Sequence, residues 1–203
     1  MTSAASPGRV VILNGTSSSG KTSLATGLAE RRAAHGEMWI VIGIDDYLAK
    51  VPASWFEGGS VTGPYAHRGV RFVSPTAGET TLELGVEGRR LLAAYRRSVT
   101  AAVRTGLDVL VDDVIIDEPA WRDWCDALED LDVVWVAVRC SDEVVARREA
   151  GRGDRYVGLA RSQAREVHRF PPYAIDIDTT ALTVDEGVDA LDRALTERWQ
   201  VST

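Results

Sequence analysis

Eight residues near the start of the chain, Gly15-Thr16-Ser17-Ser18-Ser19-Gly20-Lys21-Thr22, fit the pattern GxxxxGK[ST]. Residue types at this spacing suit one task, the holding of a polyphosphate. Backbone N–H groups of such a loop turn inward and form an anion cradle at the positive end of a helix. Glycine at each end permits backbone angles that a Cβ would forbid. Lys21 is then set to bridge the β- and γ-phosphates of a nucleoside triphosphate, and the Thr22 hydroxyl to bind Mg²⁺. The predicted nucleotide site runs over Gly15, Thr16, Ser17, Ser18, Ser19, Gly20, Lys21, Thr22 and Ser23. The chain has 21 arginines but only two lysines, Lys21 and Lys50. A lysine kept in such a chain fits a slim ammonium lying along a triphosphate.

Two pairs of carboxylates could complete the chemistry. Gly43-Ile44-Asp45-Asp46 closes a second apolar run. One of these aspartates can take the proton from a hydroxyl as it attacks the γ-phosphate, while the other caps a helix starting near Tyr47. Strand alternation aims them differently, and the sequence leaves open which is which. Val111-Asp112-Asp113 ends a third apolar run. An acid here would hold a Mg²⁺-bound water, with Asp112 and Asp113 both candidates. The stretch Arg147-Arg148-Glu149-Ala150-Gly151-Arg152-Gly153-Asp154-Arg155 mixes arginine with glycine. It reads as a segment closing over phosphates, with arginines to meet the charge of the transferring group. The competing reading is a solvated basic stretch paired with Glu143, Glu149 and Asp154.

These residues need a scaffold that brings them together. Five apolar runs, Val10–Leu13, Trp39–Ile42, Leu107–Val111, Val133–Val138 and Ala174–Ile177, read as strands covered on both faces. Helical patterns separate them. Glu87–Thr105 carries Leu91, Leu92, Tyr95, Val99 and Val103 at helical spacing. Pro119–Leu128 is a shorter helix, Glu143–Glu149 follows Ser141 as N-cap, and Val157–Val167 is another. Thr183-Val184-Asp185-Glu186 is a capping box opening a final helix. This alternation predicts one domain over residues 1–203, a three-layer α/β/α P-loop kinase fold with a mainly parallel five-stranded sheet. An insert follows the second strand at about residues 50–85, and a lid lies at about 147–158. The insert is aromatic and rich in Gly and Pro, and Arg71–Val73 can pair with Thr81–Leu84 as a hairpin. Beside an active site it reads as a pocket or cap for an acceptor.

Composition narrows the partners. The 203 residues carry a net charge of −7, which argues against nucleic acid as a partner. No stretch is long and apolar enough for a membrane span, and no apolar leader follows Met1, so a cytoplasmic protein is expected. Cys125, Cys140 and three scattered histidines give no structural zinc pattern. The acidity and the aromatic insert favour a neutral or cationic, partly apolar acceptor over a polyanion, and only Arg68 and Arg71 in the insert could meet a second phosphate. A homo-oligomer is compatible with the sequence.

With these strings assembled, the chain resembles the chloramphenicol phosphotransferase family of small P-loop kinases. The likeness begins at Ile12-Leu13-Asn14-Gly15 and runs through Gly43-Ile44-Asp45 and Val111-Asp112-Asp113-Val114. It resumes at Asp132–Cys140, Arg148-Glu149 and Arg152-Gly153-Asp154-Arg155, and closes at Asp176–Thr180. The resemblance implies ATP-dependent phosphorylation of a small-molecule hydroxyl, with Mg²⁺. It implies Asp45 as base, Lys21 as the phosphate lysine, and Arg152 and Arg155 as lid arginines. The adenine would lie between the lid side, near Arg148, and the loop after Asp178-Thr179-Thr180. The chain departs from the family pattern between Asp46 and Leu91, with Tyr65–Glu83 as extra material, so an antibiotic or metabolite alcohol other than chloramphenicol fits as well. Two alternatives remain, a sugar-nucleotide kinase of the zeta-toxin kind and a nucleotide-binding regulatory protein without transfer.

Overall fold

The computed structural model describes residues 6–76, 78–151, 156 and 158–201. Nine strands and seven α-helices follow one another along them: β1 (Val10–Asn14), α1 (Lys21–Ala33), β2 (Trp39–Gly43), α2 (Ile44–Leu48), β3 (Phe56–Gly58), β4 (Val61–Thr62), β5 (Val70–Val73), β6 (Thr81–Leu84), α3 (Val86–Arg104), β7 (Asp108–Asp113), α4 (Glu118–Ala127), β8 (Val133–Arg139), α5 (Asp142–Ala150), α6 (Leu159–Gln163), β9 (Ile175–Asp178) and α7 (Val184–Val201).

The main sheet has five strands in the order β2-β7-β1-β8-β9, every pair parallel. β1 is buried from end to end because both of its faces are covered. Val10 and Ile12 join the core on one side with Val109, Val111, Leu92, Val99 and Trp124. Val11 and Leu13 join the other with Leu24, Leu28, Val188 and Leu191. The three-layer fold is as the sequence predicts, and the five apolar runs all become strands of this sheet. Among the described residues, no helix is long and apolar enough to cross a membrane.

Local signals set most boundaries. The Ser141 hydroxyl accepts from Val144 N and caps α5. Thr183 and Glu186 bond reciprocally at the start of α7, as a capping box requires. Asp117 caps α4 through Ala120 N, with Pro119 in the first turn. One expected helix is shorter than its pattern: Val157–Val167 yields only α6, Leu159–Gln163.

The insert is more ordered than an irregular cap. It forms a second sheet in the order β4-β3-β5-β6. The β5–β6 hairpin is the one read from sequence, pairing Arg71 with Glu83 and Phe72 with Leu82. β3 and β4 are additions of three and two residues. Arg71 and Arg68 are taken up in ion pairs, Arg71 with Glu57 and Glu83, Arg68 with Glu87.

Candidate active site

β1 delivers the chain into the glycine loop under tight constraint. A Cβ on Gly15 would lie 2.3 Å from the Val138 carbonyl oxygen of the neighbouring strand, so no other residue fits. Gly20 turns the chain into α1 at φ +103°, a left-handed angle that favours glycine. Lys21 is buried. Its Nζ donates to the Thr16 carbonyl at 2.8 Å and lies 3.5 Å from Asp112 Oδ1. The Thr22 hydroxyl donates to Asp112 Oδ2 at 2.5 Å. Around this cluster the hydroxyls of Ser17, Ser18 and Ser19 are buried without hydrogen-bond partners among the described residues. Buried polar groups normally find partners, so three orphaned donors in one loop fit an anion held there.

Strand alternation divides the aspartate pairs. On β7, Asp112 faces the loop, next to Lys21 and Thr22. Asp113 points to the opposite side, into the core. It accepts from Trp124 Nε1 and from Val114 N, and burial pushes its carboxyl pKa up against the pull of the Arg96 charge. Of the two carboxylates expected at a metal, only Asp112 is therefore at the loop, and Asp113 is a core group bonded to the indole. At the end of β2, Asp46 Oδ2 accepts from Gly43 N at 2.8 Å and caps α2. Asp45 and Asp46 both line the cavity described below.

Among the described residues, no group of three or more His, Cys, Asp or Glu could hold a metal by itself. A hydroxyl and one carboxylate are what Mg²⁺ uses when phosphate oxygens and water fill its remaining positions. Thr22 and Asp112 fit that role.

Arg148 and Thr179 form the back of the loop. The Thr179 hydroxyl donates to the Ser19 carbonyl at 2.6 Å. Arg148 reaches the Thr179 carbonyl at 3.0 Å and the Ser19 carbonyl at 3.4 Å. Both line the cavity, with these polar groups engaged on protein rather than free. Arg152 and Arg155 lie outside the described residues. Glu149, one candidate partner for the basic stretch, does something else. It is buried and accepts from Gly158 N at 2.7 Å and Ala160 N at 3.2 Å, holding the start of α6.

A single cavity of about 1350 Å³ runs from the glycine loop to the insert. At the loop end it is lined by Lys21, Thr22, Asp112 and Asp45. At the far end Phe56, Val61, Phe72, Leu82 and Leu84 of the second sheet make an apolar wall. Tyr156 stacks on Phe72 with ring centroids 4.1 Å apart and planes at 10°. Between the two ends α3 contributes Arg89 and Arg96. The Arg96 side chain is buried, its Nη1 donates to Asp123 at 3.0 Å, and its Nε has no partner among the described residues.

Sequence reasoning missed several polar residues of this site, Arg96 and Gln163 among them. Arg96 sits four residues after Leu92, on the face that also carries Val99, so helical spacing alone could have turned it inward. Gln163, whose amide oxygen accepts from Ser17 N at 2.7 Å, had no local signal at all.

Comparison with known proteins gives consistent results. The family described as chloramphenicol phosphotransferase-like protein matches residues 8–196. A proposed O-phosphotransferase of Mycobacterium tuberculosis is 36% identical over 205 residues, covering 95% of this chain and 83% of the relative. The Mycobacterium tuberculosis APS kinase, solved with AMPPNP and APS, superposes with a TM-score of 0.64 at 15% identity, covering 95% of this chain and 99% of that one. A gluconokinase from Sinorhizobium meliloti superposes with a TM-score of 0.55 at 15% identity, covering 98% and 99%. At these identities the two structures speak for the fold alone.

Proposed function

This chain belongs to the chloramphenicol phosphotransferase-like family, and we propose that it moves the γ-phosphoryl group of ATP to a hydroxyl of a small molecule, an antibiotic of the chloramphenicol type being the finer reading. One observation carries this proposal. The phosphate-type loop and the apolar wall of the insert line the same cavity, so a triphosphate on the loop and an acceptor against the wall would share one space.

The roles follow from position. The loop N–H groups and the Ser17–Ser19 hydroxyls bind phosphate oxygens. Lys21 meets the charge between the β- and γ-phosphates. Asp45, which lines the same cavity as the loop, takes the proton of the acceptor hydroxyl as its oxygen bonds to the γ-phosphorus. The bond from that phosphorus to the bridging oxygen breaks, and ADP leaves with the electron pair. Thr22 and Asp112 would hold Mg²⁺, which when bound neutralises charge on the phosphates. Asp46 keeps α2 in place and so keeps Asp45 turned to the cavity. Arg148 and Thr179 brace the loop where the adenine end of the nucleotide would lie, and Arg152 and Arg155 are proposed to meet the γ-phosphate charge.

The lining also speaks to the acceptor. Five aspartates, Asp45, Asp46, Asp112, Asp117 and Asp123, face the cations Lys21, Arg89, Arg96 and Arg148. Such a balance favours an acceptor that brings little charge of its own, with an apolar body against Phe56 and Phe72.

The test is ADP release from Mg·ATP with a panel of hydroxylated antibiotics, chloramphenicol included, together with nucleosides and UDP-N-acetylglucosamine. Turnover on an antibiotic that disappears in Lys21→Ala is the expected result. Turnover on the sugar nucleotide alone would replace the antibiotic reading. Failure of the wild-type protein to bind ATP or ADP would end the kinase reading altogether.

A further inference from the structure

The peptide unit joining Thr16 and Ser17 is held at both polar ends by side chains. Its carbonyl accepts from Lys21 Nζ at 2.8 Å, from five residues away in sequence. Its N–H donates to Gln163 Oε1 at 2.7 Å, across a separation of 146 residues. A peptide unit is rigid and planar, so the direction of its N–H fixes the direction of its C=O. Gln163 therefore sets where the Thr16 carbonyl meets the lysine.

Gln163 is well built for this. It is buried, with 6% of its surface exposed. It ends α6, whose first turn is pinned by the buried Glu149 carboxylate through Gly158 N and Ala160 N. The amide is neutral, so it can accept from a backbone N–H without placing a charge beside phosphates. Lys21 in turn lies between the Thr16 carbonyl and the Asp112 carboxylate, at 2.8 and 3.5 Å. Releasing the peptide would remove one of the two groups that hold the ammonium in place. The ammonium serves the β- and γ-phosphates, so the peptide it touches belongs to the γ end of the loop.

We propose that Gln163 is a positioning residue for phosphoryl transfer: through the Thr16–Ser17 peptide it holds Lys21 in register with the γ-phosphate. This rests on the ATP-dependent reading above, and deepens it. Gln163 lines the same cavity, but its part here is played through the peptide it bonds. Its loss disturbs the γ end of the site and spares the rest of the nucleotide. A residue that merely packs α6 would affect all nucleotides alike.

The experiment is calorimetric titration of Mg·ADP and Mg·AMP-PNP into the full chain and into two variants. Gln163→Leu keeps the bulk and removes the acceptor oxygen. It is expected to weaken AMP-PNP about tenfold, the scale of one hydrogen bond to a charged site, and ADP by less than about threefold. Gln163→Glu keeps an acceptor oxygen and adds a negative charge at the γ end. It is expected to weaken AMP-PNP by more than about tenfold with ADP again nearly unchanged. Thermal unfolding of each variant shows whether it is folded, and if the leucine variant is not, the glutamate variant decides. Equal losses for both nucleotides, or no loss for either, would overturn the proposal and leave the kinase reading intact. A wild-type protein that bound neither nucleotide would overturn both.

Discussion

The two ends of the cavity are built by different rules. At the loop end, polar groups are gripped from more than one side. Lys21 lies between Thr16 and Asp112, the Ser19 carbonyl takes both Thr179 and Arg148, and Ser17 is held by Gln163. At the insert end the wall is apolar and made of strands two to four residues long. On the proposed reading, the contrast follows from what each end would have to do. Charge stabilisation needs donors fixed before the reaction starts, whereas recognition of an apolar body needs only a surface of the right shape. The loop end should therefore fail sharply when one group is changed, and the insert end gradually.

The largest effect is expected at Asp45. Asp45→Asn should lower turnover on whichever acceptor the panel identifies by about 10²–10⁴-fold, the usual worth of a general base, with AMP-PNP affinity kept within about threefold. Steady-state kinetics and titration check this together, and full activity would remove Asp45 from the mechanism.

Next is a dependence of stability on acid, carried by His168, which bonds Tyr173 behind the end of β1. Burial, helped by the Arg139 charge, holds the His168 imidazole down at about 4, against 6.5 unperturbed. The unfolded chain takes up this proton below about pH 6.5 and the folded protein does not. Stability is therefore complete above that pH and is lost as the pH falls toward 4, on the order of 2 kcal/mol in all. His168→Phe should flatten this part of the profile of Tm against pH. An unchanged slope would mean that another group carries the loss.

The smallest effect belongs to the middle of the cavity. Arg96→Met should raise KM for the acceptor about tenfold while KM for ATP stays within about twofold. Arg96→Lys, which keeps the charge and loses the planar fork, should recover only part of this. A change in both constants alike would show that Arg96 supports the fold rather than the acceptor.

Much of the loop end was legible because its signals are local. The GxxxxGK[ST] string, the apolar run before it and the helical pattern after it lie within a few residues of one another, and backbone geometry leaves them little choice. The main sheet was legible for a related reason, since a strand covered on both faces must be apolar throughout. Asp112 and Asp113 could not be told apart, because alternation says only that they point oppositely. The partner that decides, Trp124, sits on a helix whose docking the sequence does not state. Gln163 was invisible because a neutral amide carries no signal of its own and its partner is 146 residues away. β3 and β4 were too short to show any alternation.

The strand order has a consequence for how this chain is made. β1 and β2 are not neighbours; β7 lies between them and pairs with both. Val10 meets Val109, so the largely apolar strand bearing the glycine loop has no sheet partner until a hundred or so further residues, on the order of 10 s of synthesis, have emerged from the ribosome. Until then its carbonyl and N–H edges are open to any other extended segment. The strand that leads into the glycine loop is thus the one most in need of shelter during translation, and slower passage through residues 15–107 would lengthen its exposure.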